Sequence, residues 1–117
     1  MITTIVKRDG RTAPFDVEKI ANAIYKAAQA IGGHDFQTSI ALANAVVKEL
    51  ETKTDAPTVE QVQDTVERVL IENGHARTAK EYILYRAERS RIREMNTRLM
   101  KTFEDLTFKD AKDFDLK

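Results

Sequence analysis

The chain has no cysteine. Disulfides, thiolate-bound zinc and catalytic thiols are therefore excluded. The two histidines, His34 and His75, are too few for a typical histidine metal site. Each lies beside a glycine that ends a helical pattern, which is a structural place for a histidine. No apolar run approaches the ~20 residues of a membrane span, and no signal peptide opens the chain, so a cytoplasmic protein without membrane contact is expected. A Gly-x-x-x-x-Gly-Lys phosphate loop, a Gly-x-Ser-x-Gly elbow and any metal-binding spacing are also missing, so no catalytic set is expected. Charge of one sign is not in excess either. Lys and Arg number 19 and so do Asp and Glu, which argues against a dedicated nucleic-acid domain.

What is present fits one small domain. With 117 residues, 42% of them hydrophobic and 32% charged, the chain can bury a single modest core under a densely ionic surface. The charge is unevenly placed. Residues 102–117 carry Lys109, Lys112 and Lys117 against Glu104, Asp105, Asp110, Asp113 and Asp115, which leaves a small basic excess on the first 101 residues.

Residues 2–8 are rich in β-branched types, and Asp9-Gly10 follows at once, a strong hairpin signal because glycine tolerates the positive φ of a tight turn. Residues 11–15 form the return strand, in which Pro14 requires an edge or a place among the last residues. Asp16 is a good N-cap for a first helix, with Phe15 and Ile20 at staple spacing. Val17, Ile20, Ile24, Ala27 and Ile31 make its apolar stripe, and Gly32-Gly33 ends it. A second helix over about Asp35–Glu51 turns Phe36, Ile40, Ala43, Val47 and Leu50 inward. Lys53–Pro57 connects, with room for a short extended piece. Thr58 and Gln61 form a capping box for a third helix with Val59, Val62, Val66 and Val69 inside, stopped by Asn73-Gly74. A fourth helix starts near Ala76 and offers Ala79, Tyr82, Ile83 and Ala87 to the core. Beyond Arg86 its pattern is polar and arginine-rich. Residues 102–117 lack clean periodicity and read as a linker bearing Phe103, Leu106, Phe108, Phe114 and Leu116 as anchors. The expected fold is mainly α: a four-helix bundle capped by an N-terminal β-hairpin.

Lys7 and Arg8 are adjacent in the first strand and so point to opposite faces. Lys19 falls in the first turn of a helix, where the dipole disfavours a cation. A bound anion would resolve that conflict, and a hairpin folded over the first helix would gather Lys7 or Arg8 with Lys19 around a triphosphate. The plainer reading makes Lys7 and Arg8 edge-strand charges and pairs Lys19 with Glu18 or Asp16. Gln63 is left over once capping and core account for Thr58, Val59, Gln61 and Val62; its amide offers donor and acceptor to a base edge. Tyr82 and Arg86 share one helix face, as do Tyr85 and Arg89, and Arg can hold phosphate in a bidentate manner or pack its stem over a tyrosine.

Three blocks in order resemble the ATP-cone family: Val6-Lys7-Arg8-Asp9-Gly10 with Phe15-Asp16 and Lys19-Ile20, then Thr58 through Glu67, then Ala79 through Arg89. The resemblance covers about residues 3–92. Val6 stands directly before Lys7, and Thr12-Ala13-Pro14 occupies a region where some members carry an acidic residue. The resemblance implies a domain over residues 1–93 that binds ATP or dATP as an allosteric effector, with Mg on the phosphates and without catalysis. It implies phosphate contacts from Lys7, Arg8 and Lys19, with Asp16 near the nucleotide. Val6, Ile20 and Val62 would line the adenine pocket, Gln63 would sit near base or sugar, and Tyr85, Arg86 and Arg89 would lie nearby. The continuation from Met95 resembles the linker of an anaerobic, glycyl-radical ribonucleoside-triphosphate reductase, so residues 94–117 would lead toward a catalytic domain. A homo-oligomer through the cone is the implied output. A repressor of reductase genes would place a cysteine-bearing zinc ribbon ahead of the cone. A helical protein-interaction module without nucleotide is the alternative from another class.

Overall fold

A computed structural model describes the backbone of residues 1–116 and the side chains of residues 1–106. The order is β1 (Thr4–Val6), β2 (Thr12–Pro14), α1 (Val17–Ala30), α2 (Phe36–Glu51), α3 (Val59–Glu72) and α4 (Ala76–Leu116). Met1–Tyr85 is one compact unit and a second begins at Arg86.

β1 and β2 pair antiparallel with Thr4 opposite Pro14, Ile5 opposite Ala13 and Val6 opposite Thr12. The turn between them is longer than a two-residue Asp-Gly turn. The Gly10 amide donates to the Lys7 carbonyl at 2.9 Å, and the Lys7 amide donates to the Arg11 carbonyl at 2.7 Å. Gly10 takes the left-handed position at φ 87°, as in a type I turn closed by a glycine bulge. Pro14, at the β2 edge, leaves the ladder without a donor, and the Phe15 amide supplies the next bond, to the Thr3 carbonyl at 3.0 Å.

The caps follow the sequence. The Asp16 carboxylate accepts from the Glu18 amide, and Asp35 accepts from the Gln37 and Thr38 amides and the Thr38 hydroxyl. Thr58 and Gln61 form the reciprocal box, with bonds of 3.0 and 2.9 Å. Each such cap stabilises its helix by about 1 kcal/mol. α3 ends in a Schellman turn: the His75 amide donates to the Leu70 carbonyl at 2.8 Å, and Gly74 takes φ 81°.

The core joins Ile20, Ala21, Ile24 and Ala27 of α1, Leu42, Ala43, Val46 and Leu50 of α2, Val62, Val66, Val69 and Leu70 of α3, and Ala79 and Tyr82 of α4, with Ile2 ahead of β1. The expected stripes hold for α1 and α3 except at their ends: Ile31 is exposed, and Val17 and Val59 are half-buried. On α2 the inner face is rotated. Val46 and Leu42 are buried, whereas Phe36 is exposed and Ile40 and Val47 are half-buried. The helix lies between α1 and α3, so two adjacent strips must be covered. Phe36 instead packs edge-to-face with Tyr25, centroids 5.0 Å apart and ring planes 79° to one another. On α4, Ile83 and Ala87 are exposed.

α4 continues as helix to Leu116, through the stretch whose sequence lacks periodicity. No glycine or proline follows Gly74, so nothing interrupts the backbone ladder. Phe103 and Leu106 are exposed on it. Phe108, Phe114 and Leu116 lie outside the described side chains.

Candidate functional site

The hairpin is tied to the start of α3. The Val6 amide donates to the Pro57 carbonyl at 2.9 Å, and Val6 and Thr58 form a parallel bridge. This is the short extended piece expected before the third helix. It sets the 7–10 turn against the N-terminus of α3, where the first backbone amides lack carbonyl partners within the helix.

Between them lies a groove of about 360 Å³ lined by Val6, Lys7, Arg8, Gly10, Thr58, Val59 and Glu60. Lys7 and Arg8 both contribute to the lining of this groove. β1 ends at Val6, so strand alternation no longer governs them. Glu60, at the second position of α3, lies 3.6 Å from Arg8. Beside the groove, Asp9 accepts from the Arg11 amide and guanidinium. The first of these bonds is the main reason its carboxyl titrates below the usual aspartate range.

Lys7, Arg8 and the start of a helix around one open groove are the kind of groups that attract an anion. Thr58, Val59, Glu60 and Gly10 also line the groove, whereas sequence reading assigned Thr58 and Val59 only to cap and core. The capping box itself was the available signal, since it marks where free backbone amides begin.

The other predicted residues fall elsewhere. Asp16 and Lys19 stand at the start of α1, outside this groove's lining, with Lys19 exposed. Lys19 and Lys26, seven residues apart, share a face of α1. The Lys26 ammonium is 5.8 Å from the centre of the Tyr85 ring, which places half-buried Tyr85 against that helix. Ile20 and Val62 are 8% and 6% exposed and belong to the core. Gln63 follows Val59 by four residues and so lies one turn along the same face of α3. Its Oε1 is buried without a hydrogen-bond partner, at a cost of about 1–3 kcal/mol. Arg86 and Arg89 belong to the second unit. Among the described residues, no group of three or more His, Asp or Glu is arranged to hold a metal, and no helix is long and apolar enough to cross a membrane.

Hairpin and helices make one small domain with a groove lined by Lys7 and Arg8, and the comparison with known families gives it a place. The ATP cone domain family matches residues 3–91, and the chain belongs to that family. Ribonucleotide reductases are among its relatives. It is 43% identical over 111 residues to the vitamin B12-dependent ribonucleoside-diphosphate reductase of Thermoplasma acidophilum, covering 91% of this chain and 14% of that protein. It is 34% identical to the anaerobic ribonucleoside-triphosphate reductase of Haemophilus influenzae, covering 87% of this chain and 15% of that protein. It is 35% identical to the ribonucleoside-diphosphate reductase subunit alpha of Chlamydia muridarum, covering 78% and 10%. The chain thus spans a small fraction of the length of these relatives, within which the cone is a minor part of a larger catalytic protein.

Proposed function

We propose that this chain is an allosteric module that binds ATP or dATP, with Mg on the phosphates, and controls the activity and oligomeric state of an anaerobic ribonucleotide reductase. The observation that carries the proposal is the groove itself. In a member of the ATP-cone family, Lys7 and Arg8 line one cleft with the amide-bearing start of α3. The phosphates take that cleft, and Lys19 on α1 adds charge from the neighbouring helix. The buried Oε1 of Gln63 gains the donor it lacks from the exocyclic amine of adenine, which a guanine base does not present at that position. The nonpolar side of the base packs against Val6, Ile20 and Val62, the last two of which must give up some of their present burial. Asp16 and Tyr85, in the same compact unit, complete this set.

ATP and dATP differ only in the 2′-hydroxyl. Opposite outputs then require that the two ligands favour different states, because a ligand with equal affinity for both shifts nothing. Matches to anaerobic reductases support the anaerobic parent. The 43% identity to a B12-dependent enzyme supports that class as the second reading.

Calorimetric titration with ATP, dATP and GTP in the presence of Mg tests the proposal. Binding of both adenine nucleotides with weak GTP binding is the expected result. A folded domain that binds none of the three, with no thermal shift, refutes the proposal and leaves a helical interaction module.

A further inference from the structure

His34 and His75, each next to a glycine that ends a helix, stand far apart in the chain but line one cleft of about 350 Å³. It lies where α1 ends and where α2 and α4 begin, within the compact unit Met1–Tyr85. The groove of Lys7 and Arg8 is elsewhere. That groove meets the start of α3, whereas His75 follows the other end of that helix, about 20 Å along its axis. Buried Ile24 and Leu42 form an apolar side of the cleft.

Two polar side chains here are buried and unsatisfied. Ser39 of α2 is 1% exposed, Thr78 of α4 is 5% exposed, and both line the cleft. A helical serine or threonine often returns its hydroxyl to the carbonyl four residues back, as Thr65 does to Gln61 at 2.7 Å. Ser39 and Thr78 do not, and neither hydroxyl has a partner among the described residues. An unpaired buried hydroxyl is costly, and a ligand that accepts from it removes the cost.

The start of α4 is unsatisfied too. Side chains of Asp16, Asp35 and Thr58 cap α1, α2 and α3. At α4 the His75 carbonyl accepts the first helical bond, from the Ala79 amide at 2.9 Å, which gives His75 the cap position. Among the described residues no side chain accepts from the amides of Ala76, Arg77 or Thr78. The cleft therefore has donors in surplus. Asp35 is the one carboxylate in its lining, and its oxygens already accept from the Gln37 and Thr38 amides and the Thr38 hydroxyl. The missing partner is an acceptor, and the helix dipole favours one with negative charge.

We propose that this cleft is a ligand site, separate from the groove, for a small oxyanion: a phosphate or the carboxylate of a short organic acid. Ser39 and Thr78 donate their hydroxyls to it beside the start of α4, and His34 and His75 supply charge. Ile24 and Leu42 receive the carbon skeleton of an organic acid. Asp35 opposes an anion, so binding depends on the imidazoles. Neither α1, nor α2 beyond its cap, nor α4 beyond His75 adds a charged group to the lining. Histidine changes charge between about pH 5 and 8, so affinity rises as the pH falls through that range. Nothing in the site depends on nucleotide in the Lys7–Arg8 groove.

Nuclear magnetic resonance titration of the full chain with inorganic phosphate, and separately with butyrate, tests it. The chain carries Lys7→Ala and Arg8→Ala, so that phosphate in the groove is not read. Saturable shifts are expected at pH 6 in the amides of residues 34–39 and 75–78 and in both imidazoles, with an affinity lower at pH 8. Ser39→Ala and Thr78→Val should each weaken binding about tenfold, the scale of a hydrogen bond to a charged group. The Tm of either unliganded variant should stay level or rise, because each change removes a hydroxyl that bonds nothing in the free fold. Tighter binding of butyrate than of phosphate assigns an organic acid, and the reverse assigns a phosphate. No saturable shift up to about 50 mM of either probe, affinity unchanged in both hydroxyl variants, or a lowered Tm in either overturns the proposal.

Discussion

Glu60 stands in the proposed phosphate groove as a carboxylate beside a cation, and replacing it with glutamine has two effects of opposite sign. Arg8 and Glu60 lie 3.6 Å apart with side chains 36% and 59% exposed. A phosphate that recruits Arg8 must exchange it from Glu60. An exposed pair of this kind contributes about 0–1 kcal/mol, and the carboxylate also repels the phosphate across the cleft. Together, Glu60→Gln should favour ATP binding by about 0.5–1.5 kcal/mol, or roughly two- to tenfold in Kd. The same change removes an acid from the first turn of α3, where it is worth about 0.3–1 kcal/mol to the helix. Affinity therefore rises while the melting temperature of the unliganded domain falls slightly. Calorimetry with Mg-ATP, paired with thermal unfolding, reads both. The affinity gain should shrink as salt rises, since exposed charges are screened over about 8 Å at physiological ionic strength. Unchanged or weaker ATP binding by a folded Glu60→Gln domain refutes the placement of phosphate between Arg8 and α3. It would indicate instead that the carboxylate assists the ligand, for example through the metal on its phosphates.

Lys19→Ala should weaken triphosphate binding about tenfold, the scale of one charge-assisted contact; unchanged affinity by calorimetry removes Lys19 from the site. Val46→Ala should destabilise the domain by about 2 kcal/mol, as two methyl groups leave a fully buried position. Val47→Ala, at a half-buried position, should cost less than half as much in urea unfolding; equal costs would contradict the rotated face of α2. Thr58→Ala should cost about 1 kcal/mol through loss of the capping box, seen as a drop of about 4–5 °C in Tm. Asp35 titrates below the usual aspartate range, chiefly because its carboxylate accepts from the Thr38 hydroxyl. A depressed folded value stabilises the fold above the unfolded carboxylate range, and that stability is lost as the pH falls through the lower folded value. Asp35→Asn should flatten this part of the acid limb in a plot of Tm against pH; an unaltered limb would show that the Thr38 bond carries no pH dependence.

The local events were written in short stretches of sequence. Asp16, Asp35 and Thr58 cap the helices they precede, Gly32 and Gly74 follow the ends of theirs, and Asp9-Gly10 makes the turn. Each depends on groups within about five residues, so the sequence contains both partners of every bond involved. The family blocks were legible for the same reason, because they are contiguous motifs. The inward faces of α1 and α3 were legible too, because a helix that packs on one side shows one stripe.

Other features depended on what lies across space. The inner face of α2 could not be settled from periodicity, because the helix is covered on two sides and its sequence carries two overlapping stripes. The helical state of residues 102–116 was hidden because the stretch shows no amphipathic period, while the absence of glycine and proline after Gly74 leaves its backbone ladder uninterrupted. The groove was hidden because its two walls are fifty residues apart in the chain. The bond from Val6 to Pro57 and the bridge from Val6 to Thr58 bring the 7–10 turn beside the start of α3, a pairing that neither segment announces by itself. Sequence determined the elements and their ends, since those are decided by neighbours along the backbone. Tertiary structure decided which faces meet and where the charges converge, since those depend on packing between segments that no local pattern connects.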